Sequence, residues 1–202
     1  LNVVGEHING LQMAGIANIT ASKLNGVQIA LCNYVTQACG LQIGLVNYYK
    51  EDMKGFQLGL VNANPDTRVQ MMVYGGNATP ANIGVRFKNQ LFYTILGIGS
   101  MYQGLNDKFS ASASYRAGLS FTLYKGLSIS GDLGYQHIEA FDNKDEVIPK
   151  RLYALQARAN LEYQFTRKFG IYATGGYGLT RFYNKSGNYD KGAIIEAGIV
   201  LF

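Results

Sequence analysis

The chain has 202 residues, a length suited to one domain, with 18 Lys and Arg against 13 Asp and Glu for a formal net charge of +5. Hydrophobic residues make up 48% and charged residues only 15%, with Gly at 25 and Tyr at 15, a depletion of charge that speaks against an ordinary soluble surface. The basic residues gather into no stripe, which excludes nucleic acid as a partner, and no apolar window is long enough for a transmembrane helix.

No leader with a charged start and an apolar middle is visible at Leu1, so for an exported protein the numbering is expected to begin on a mature or trimmed chain. Residues 1–8 could add a strand. Then comes an internal repeat: Asn9-Gly-Leu-Gln-Met-Ala-Gly-Ile-Ala-Asn18 is echoed at 25–33, 40–47 and 55–62, and in degenerate form at 69–74. The glutamines fall at 12, 28, 42, 57 and 70, a spacing of 13 to 16 residues. That period is too short for a two-element repeat and fits one strand of about ten residues plus a short turn.

The array Gly-x-Gln-x-Gly/Ala-x-x-Asn over residues 9 to 75 resembles the surface-repeat segments of outer-membrane proteins from Bacteroides-like bacteria. The resemblance implies location and architecture, and carries no activity with it. A parallel solenoid, with its Gln and Asn stacked as ladders, is the competing architecture. It requires similar coils throughout, and residues 90–202 supply none, so the barrel is preferred. Cys32 and Cys39 would face opposite sides of such strands and are expected to be free thiols.

The second half alternates more cleanly. From Phe109 to Tyr124 the odd positions are apolar or aromatic and the even ones are Ser110, Ser112, Ser114, Arg116, Gly118, Ser120 and Thr122, a period of two longer than most soluble strands sustain. One strand per segment gives 9–19, 25–35, 39–49, 54–62, 67–75, 82–87, 90–102, 109–124, 127–141, 150–166, 169–184 and 191–202. The fold class expected is all-β, one antiparallel transmembrane β-barrel over residues 1–202 with twelve strands (a range of 10–14), repeat-derived strands about 9–75 and longer hairpins about 82–202. Connections then alternate between tight turns (near 36–38, 63–66, 88–89, 125–126 and 167–168) and longer loops. Short turns inside and long loops outside would put both termini in the periplasm. The closing run Gly192–Phe202 resembles the C-terminal strand by which bacterial outer-membrane barrels are recognised for assembly.

Two sets of side chains are expected to face the lumen. One is a polar row, Gln12, Gln28, Gln42, Gln57 and Gln70, with Ala30, Gly44 and Gly59 beside it. The other is a charge network of Arg116, Asp132, Arg158, Glu162 and Glu196, since charges are strongly disfavoured against lipid. Either set plugs the bore or lines a constriction that selects solutes. An inward Glu196 turns Phe202 inward by parity, whereas terminal phenylalanines of barrels generally face lipid; a bulge near 198–202 would reconcile them.

His7 and His137 are the only histidines, and Ser128 and Ser130 lie too far along the strand to serve His137. Residues 142–149 mix lysine with carboxylates and suit a solvated tip better than a calcium site. No cofactor, metal site or enzyme is expected. The function read from sequence is a narrow pore for small solutes or a non-catalytic subunit of a larger outer-membrane complex. Its partners would be outer-membrane lipid and other outer-membrane proteins or lipoproteins. A lipid-modifying outer-membrane enzyme and a secreted surface-binding repeat protein are the alternatives.

Overall fold

The computed structural model describes residues 1–100, 102, 105, 109–141, 151–184 and 186–202. The chain forms two compact units, Leu1–Arg68 and Val69–Phe202. The first contains β1 (Asn2–Val4), β2 (Ile8–Met13), β3 (Ala17–Ile29), β4 (Cys32–Ile43), β5 (Val46–Leu58) and β6 (Val61–Ala63). Every pairing among them is parallel. The expectation that 9–19, 25–35, 39–49 and 54–62 run antiparallel within one barrel over 1–202 is therefore corrected. The repeat period is one coil of a parallel stack.

The reason lies in the side-chain amides. Parallel in-register stacking sets Gln12, Gln28, Gln42 and Gln57 in one column and Asn18, Asn33, Asn47 and Asn62 in another. A carboxamide carries both a donor and an acceptor, so identical amides can chain head to tail. Nε2 of Gln28 donates to Oε1 of Gln12 at 2.7 Å, and Gln42 and Gln57 each repeat the bond onto the preceding coil at 2.8 Å. The asparagines chain in the opposite sense, Nδ2 of Asn18, Asn33 and Asn47 each donating to the Oδ1 one coil on at 2.9–3.0 Å. The same Nδ2 atoms also bond the carbonyls of Ile29, Ile43 and Leu58.

The motif glycine has a steric cause. Gly26, Gly40 and Gly55 sit at φ +138°, +143° and +146°, where L side chains are strained. A Cβ on any of them would overlap the carbonyl oxygen of the glycine one coil earlier.

The unit's surface is inverted along each coil. Around the amide ladders the outward rows are apolar: Leu11, Val27, Leu41 and Phe56, then Met13, Ile29, Ile43 and Leu58. The turns beyond them stack Ile16, Leu31 and Leu45, all exposed. At the opposite end of the coil an apolar core of Leu24, Val35 and Ala38 lies inside, and the exposed residues are polar, among them Glu6, Lys23, Gln37, Glu51, Asp52 and Lys54. Cys32 and Cys39 are both free and exposed. They stand in separate columns, Cys32 beside Ala17 and Val46, Cys39 beside Asn25 and Lys54.

The second unit is a closed eight-stranded antiparallel barrel in the order β10-β11-β12-β13-β14-β7-β8-β9. Its strands are β7 (Arg68–Gly76), β8 (Ala81–Asn89), β9 (Phe92–Ser100), β10 (Ser110–Tyr124), β11 (Leu127–Ala140), β12 (Arg151–Thr166), β13 (Phe169–Phe182) and β14 (Asn188–Leu201). These match the last eight of the twelve expected segments, so the barrel class stands with a count of eight. Tight turns at 90–91, 125–126 and 167–168 close one end, where β7 also begins and β14 ends. The longer connections leave the other end. The segment 142–149, and with it the question of a calcium site there, lies outside the described residues.

Parity settles the conflict at the C-terminus. β14 pairs β13 without a shift from Lys191 to Leu201, so no bulge separates Glu196 from the chain end. Phe202 packs against the interior cluster of Met72, Tyr74, Tyr93, Ile95, Tyr172 and Val200.

Replacing Gly40 by Ala should unravel the parallel unit and leave the barrel intact. Proteolysis and amide hydrogen exchange within residues 1–68 should accelerate, while the barrel keeps its folded mobility on detergent gels. Unchanged protection across 1–68 would show that the glycine column is not a steric requirement.

Candidate functional site: the charged barrel interior

Alternation along the strands sorts the barrel's residues between an interior and a wall. On β12 the inward set is Leu152, Ala154, Gln156, Arg158, Asn160 and Glu162, all buried. The outward set includes Leu155 and Leu161, about half exposed, with Tyr153 and Tyr163 at either end of that face. From Tyr153 to Tyr163 is ten residues of β12, or about 25 Å along the barrel axis for a strand tilted by about 40°. Other aromatics thicken both rims. Phe109 packs tilted against Phe141, and Tyr135 stacks on Tyr153, toward the loop end; Tyr163, Phe165 and Phe169 cluster at the tight-turn end. An apolar band of that height between aromatic rims, around a polar interior, is the arrangement of a transmembrane barrel.

Inside, three arginines meet three carboxylates. Arg86 forms a bidentate pair with Glu162 at 2.6 and 2.9 Å and donates through Nε to Oε1 of Gln70 at 2.6 Å. Arg116 grips Asp132 with Nε and Nη2 at 2.9 and 2.8 Å. Arg158 approaches Glu196 at 3.2 Å through both Nε and Nη2, and Glu196 also lies 3.5 Å from Arg116. Asn160 braces the Arg116–Asp132 pair, donating to Asp132 at 2.8 Å and accepting from Arg116 at 3.1 Å and from Thr174 at 2.6 Å. Tyr93 donates its hydroxyl to Asp132 at 2.8 Å. The arginines and carboxylates of this set cancel, three positive against three negative.

This geometry fixes the place of every expected site residue. Arg116, Asp132, Arg158, Glu162 and Glu196 are all inside the barrel, each under a tenth exposed. Gln70 is there as well. Gln12, Gln28, Gln42 and Gln57 are not; they form the ladder of the parallel unit, where in-register stacking bonds both ends of the Gln28 and Gln42 amides. Gly44 and Gly59, expected across a hairpin, are instead neighbours in the parallel stack.

Arg86 is the member that sequence reasoning passed over. Its signal was present: Asn82, Gly84 and Arg86 alternate with Ile83, Val85 and Phe87, and a charge opposed to that apolar row must point inward. Asp132 and Arg158 are register partners as expected, yet the bonds of Asp132 go to Arg116, Asn160 and Tyr93.

The bore is filled at this level. The void among Met72, Arg86, Tyr93, Arg116, Asn160 and Glu162 measures about 10 Å³, about the least that would hold one water. The tight-turn side is packed with the Met72–Tyr172–Phe202 cluster. At the loop end a vestibule of about 460 Å³ opens, lined by residues including Tyr102, Gln156, Thr180, Asp190 and Lys191. On the outer wall, His137 bonds the Tyr183 hydroxyl at 2.6 Å and lies 3.4 Å from Glu139, which pairs with Arg151. Among the described residues no cluster of His, Cys, Asp or Glu could hold a metal ion, and no helix is long and apolar enough to cross a membrane.

No protein-family model matches this sequence. A search of curated proteins gives no match either. Solved structures similar to the chain include the N-terminal β-barrel domain of Pseudomonas aeruginosa OprF, at 15% identity, 66% of this chain, 93% of that one and a TM-score of 0.45. Neisserial surface protein A (NspA) follows at 9% identity, covering 66% and 92%, with a TM-score of 0.44. The Yersinia pestis outer membrane protein Ail is similar at 16% identity, covering 67% and 99%, with a TM-score of 0.41.

Breaking one buried pair should be costly. Arg116→Met strands the Asp132 carboxylate, which should lower stability by about 3–5 kcal/mol, whereas Arg151→Ala at the exposed rim pair should cost under about 1 kcal/mol. Pairing Arg116→Met with Asp132→Leu should recover part of the loss, because the carboxylate is removed along with its partner, while Tyr93 and Asn160 lose an acceptor they donate to. Urea unfolding in lipid vesicles, followed by gel mobility, measures all three; equal effects of Arg116→Met and Arg151→Ala would sink the network.

Proposed function

We propose that this protein is a closed outer-membrane barrel, a non-catalytic subunit that holds the repeat unit at the membrane and docks with other outer-membrane proteins or lipoproteins. The observation that carries the reading is the filled bore: three buried Arg–carboxylate pairs and a void of about 10 Å³ where a pore would need its constriction. A conducting barrel needs water through its narrowest section, and here that section holds side chains bonded to one another.

The outer membrane is the location that an eight-stranded, tight-turned barrel with an apolar wall fits. With short turns toward the periplasm, β7 starts and β14 ends on the periplasmic side, and both termini belong there. His137 reads as an interfacial residue rather than a catalytic one, since the contacts of its ring are with Tyr183 and Glu139. The pore remains the second reading, supported by the open vestibule above Gln156.

Two measurements test this. The protein should fractionate with the outer membrane and migrate as a compact band that shifts on heating. Purified protein in planar bilayers should give no steady conductance; reproducible single-channel steps would replace the plug by a narrow pore. In that case Arg158→Ala should shift selectivity toward cations, because it removes an interior positive charge.

A further inference from the structure

The repeat unit is inverted in the same sense as the barrel wall, but over only one part of each coil. Where the amide ladders fill the interior, the outside is apolar; where the inside is the Leu24–Val35–Ala38 core, the outside is polar. In water this is backwards. A soluble solenoid gains its stability by burying its aliphatic residues, yet Phe56 stands 76% exposed and Ile16 69% exposed. A contiguous apolar face of this kind marks a surface that is covered in use.

We propose that the apolar edge of the repeat unit inserts into the face of a lipid bilayer, so that the unit is a monotopic membrane module. Three features select lipid as the occupant. The apolar rows end in aliphatic turn residues, Ile16, Leu31 and Leu45, with no charge among them. The charged corner, with Lys23, Asp52 and Lys54, stands about seven to nine residues along the chain from those turns, or at least about 20 Å of strand, enough to stay in the headgroup layer while the tips enter by about 5–10 Å. Behind the apolar rows the ladder amides of Gln28, Gln42, Asn33 and Asn47 both donate and accept within the ladders, as burial in hydrocarbon requires. Of the buried ladder atoms only Gln12 Nε2, at the start of the glutamine ladder, lacks a partner among the described residues.

The covalent chain supplies the proximity. Only residues 64–67 separate β6 from β7, a reach of at most about 18 Å. The inference rests on the proposed membrane location of the barrel, because a barrel in water would offer no lipid to enter.

The two native cysteines provide the test. Both are exposed in the folded chain, but Cys32 adjoins the Leu31 tip whereas Cys39 shares a column with Lys54. Full-length protein is placed at one copy per phosphatidylcholine–phosphatidylglycerol nanodisc and treated with a charged, membrane-impermeant maleimide. Single variants Cys32→Ser and Cys39→Ser assign the signals. Cys39 should react at least about tenfold faster than Cys32, since a thiol held among acyl chains cannot form its reactive thiolate, and the two rates should converge in denaturant. A bimane on Cys32, and not on Cys39, should be quenched by acyl-brominated lipid.

Leu133→Cys on the barrel wall separates the two readings. If that thiol is shielded while Cys32 and Cys39 react alike, insertion of the repeat unit is wrong and the membrane barrel stands. If Leu133→Cys reacts freely, the membrane barrel fails and insertion fails with it. Protection of Cys32 that needs two copies per disc, without quenching by brominated lipid, would assign the apolar edge to a second copy and overturn the lipid assignment.

Discussion

The structure depends on one constraint: a polar group removed from water must find a polar partner inside the protein. In the barrel the partners are ions, in the repeat unit they are amides. Arg116 is 1% exposed, and an isolated charge at such a depth is ruled out by its desolvation cost. Asp132, Asn160 and Glu196 make the position tenable. Gln28 and Gln42, fully buried, are held by each other and by their neighbours in the ladder. In each unit the polar part of the interior lies behind an apolar stretch of surface.

The two solutions differ in what they demand of the chain. A ladder needs the same residue at the same place in every coil, because an amide is complementary to its own copy. That demand produces the Gly-x-Gln and Asn repeat, and the glycine column follows from the close approach of successive backbones. An ion-pair interior needs opposite residues on different strands, so no repeat can result. The chain passes from stacked amides to paired ions between Asn62, the last asparagine of the ladder, and Arg68, where β7 begins.

Much of the barrel was legible in the sequence. Alternation over 109–124, 127–141, 150–166 and 169–184 located the strands, and the prohibition on charges against lipid turned Arg116, Asp132, Arg158, Glu162 and Glu196 inward. The repeat is equally legible, and its Gln and Asn columns fit the ladders of a parallel solenoid. What hid it was the premise that one architecture must serve all 202 residues. Residues 90–202 carry no coils, and under that premise their absence counts against coils before residue 90. Gln70 shows why the boundary was difficult: it continues the glutamine spacing yet lies in the barrel, where it accepts from Arg86.

The sequence by itself determined the facing along the alternating barrel strands, because facing is a local property of an alternating chain, whereas the inward Phe202 was decided by the unshifted register of β14. It also determined that the repeat columns would be Gly, Gln and Asn. Only the tertiary structure decided that those columns run parallel, and which carboxylate each arginine meets. Asp132 lies beside Arg158 in register but is bonded by Arg116, and Glu196 reaches Arg158 from another strand. Such choices depend on strand number, stagger and the reach of long side chains across a closed interior. Those are relations between distant parts of the chain, and no local pattern encodes them.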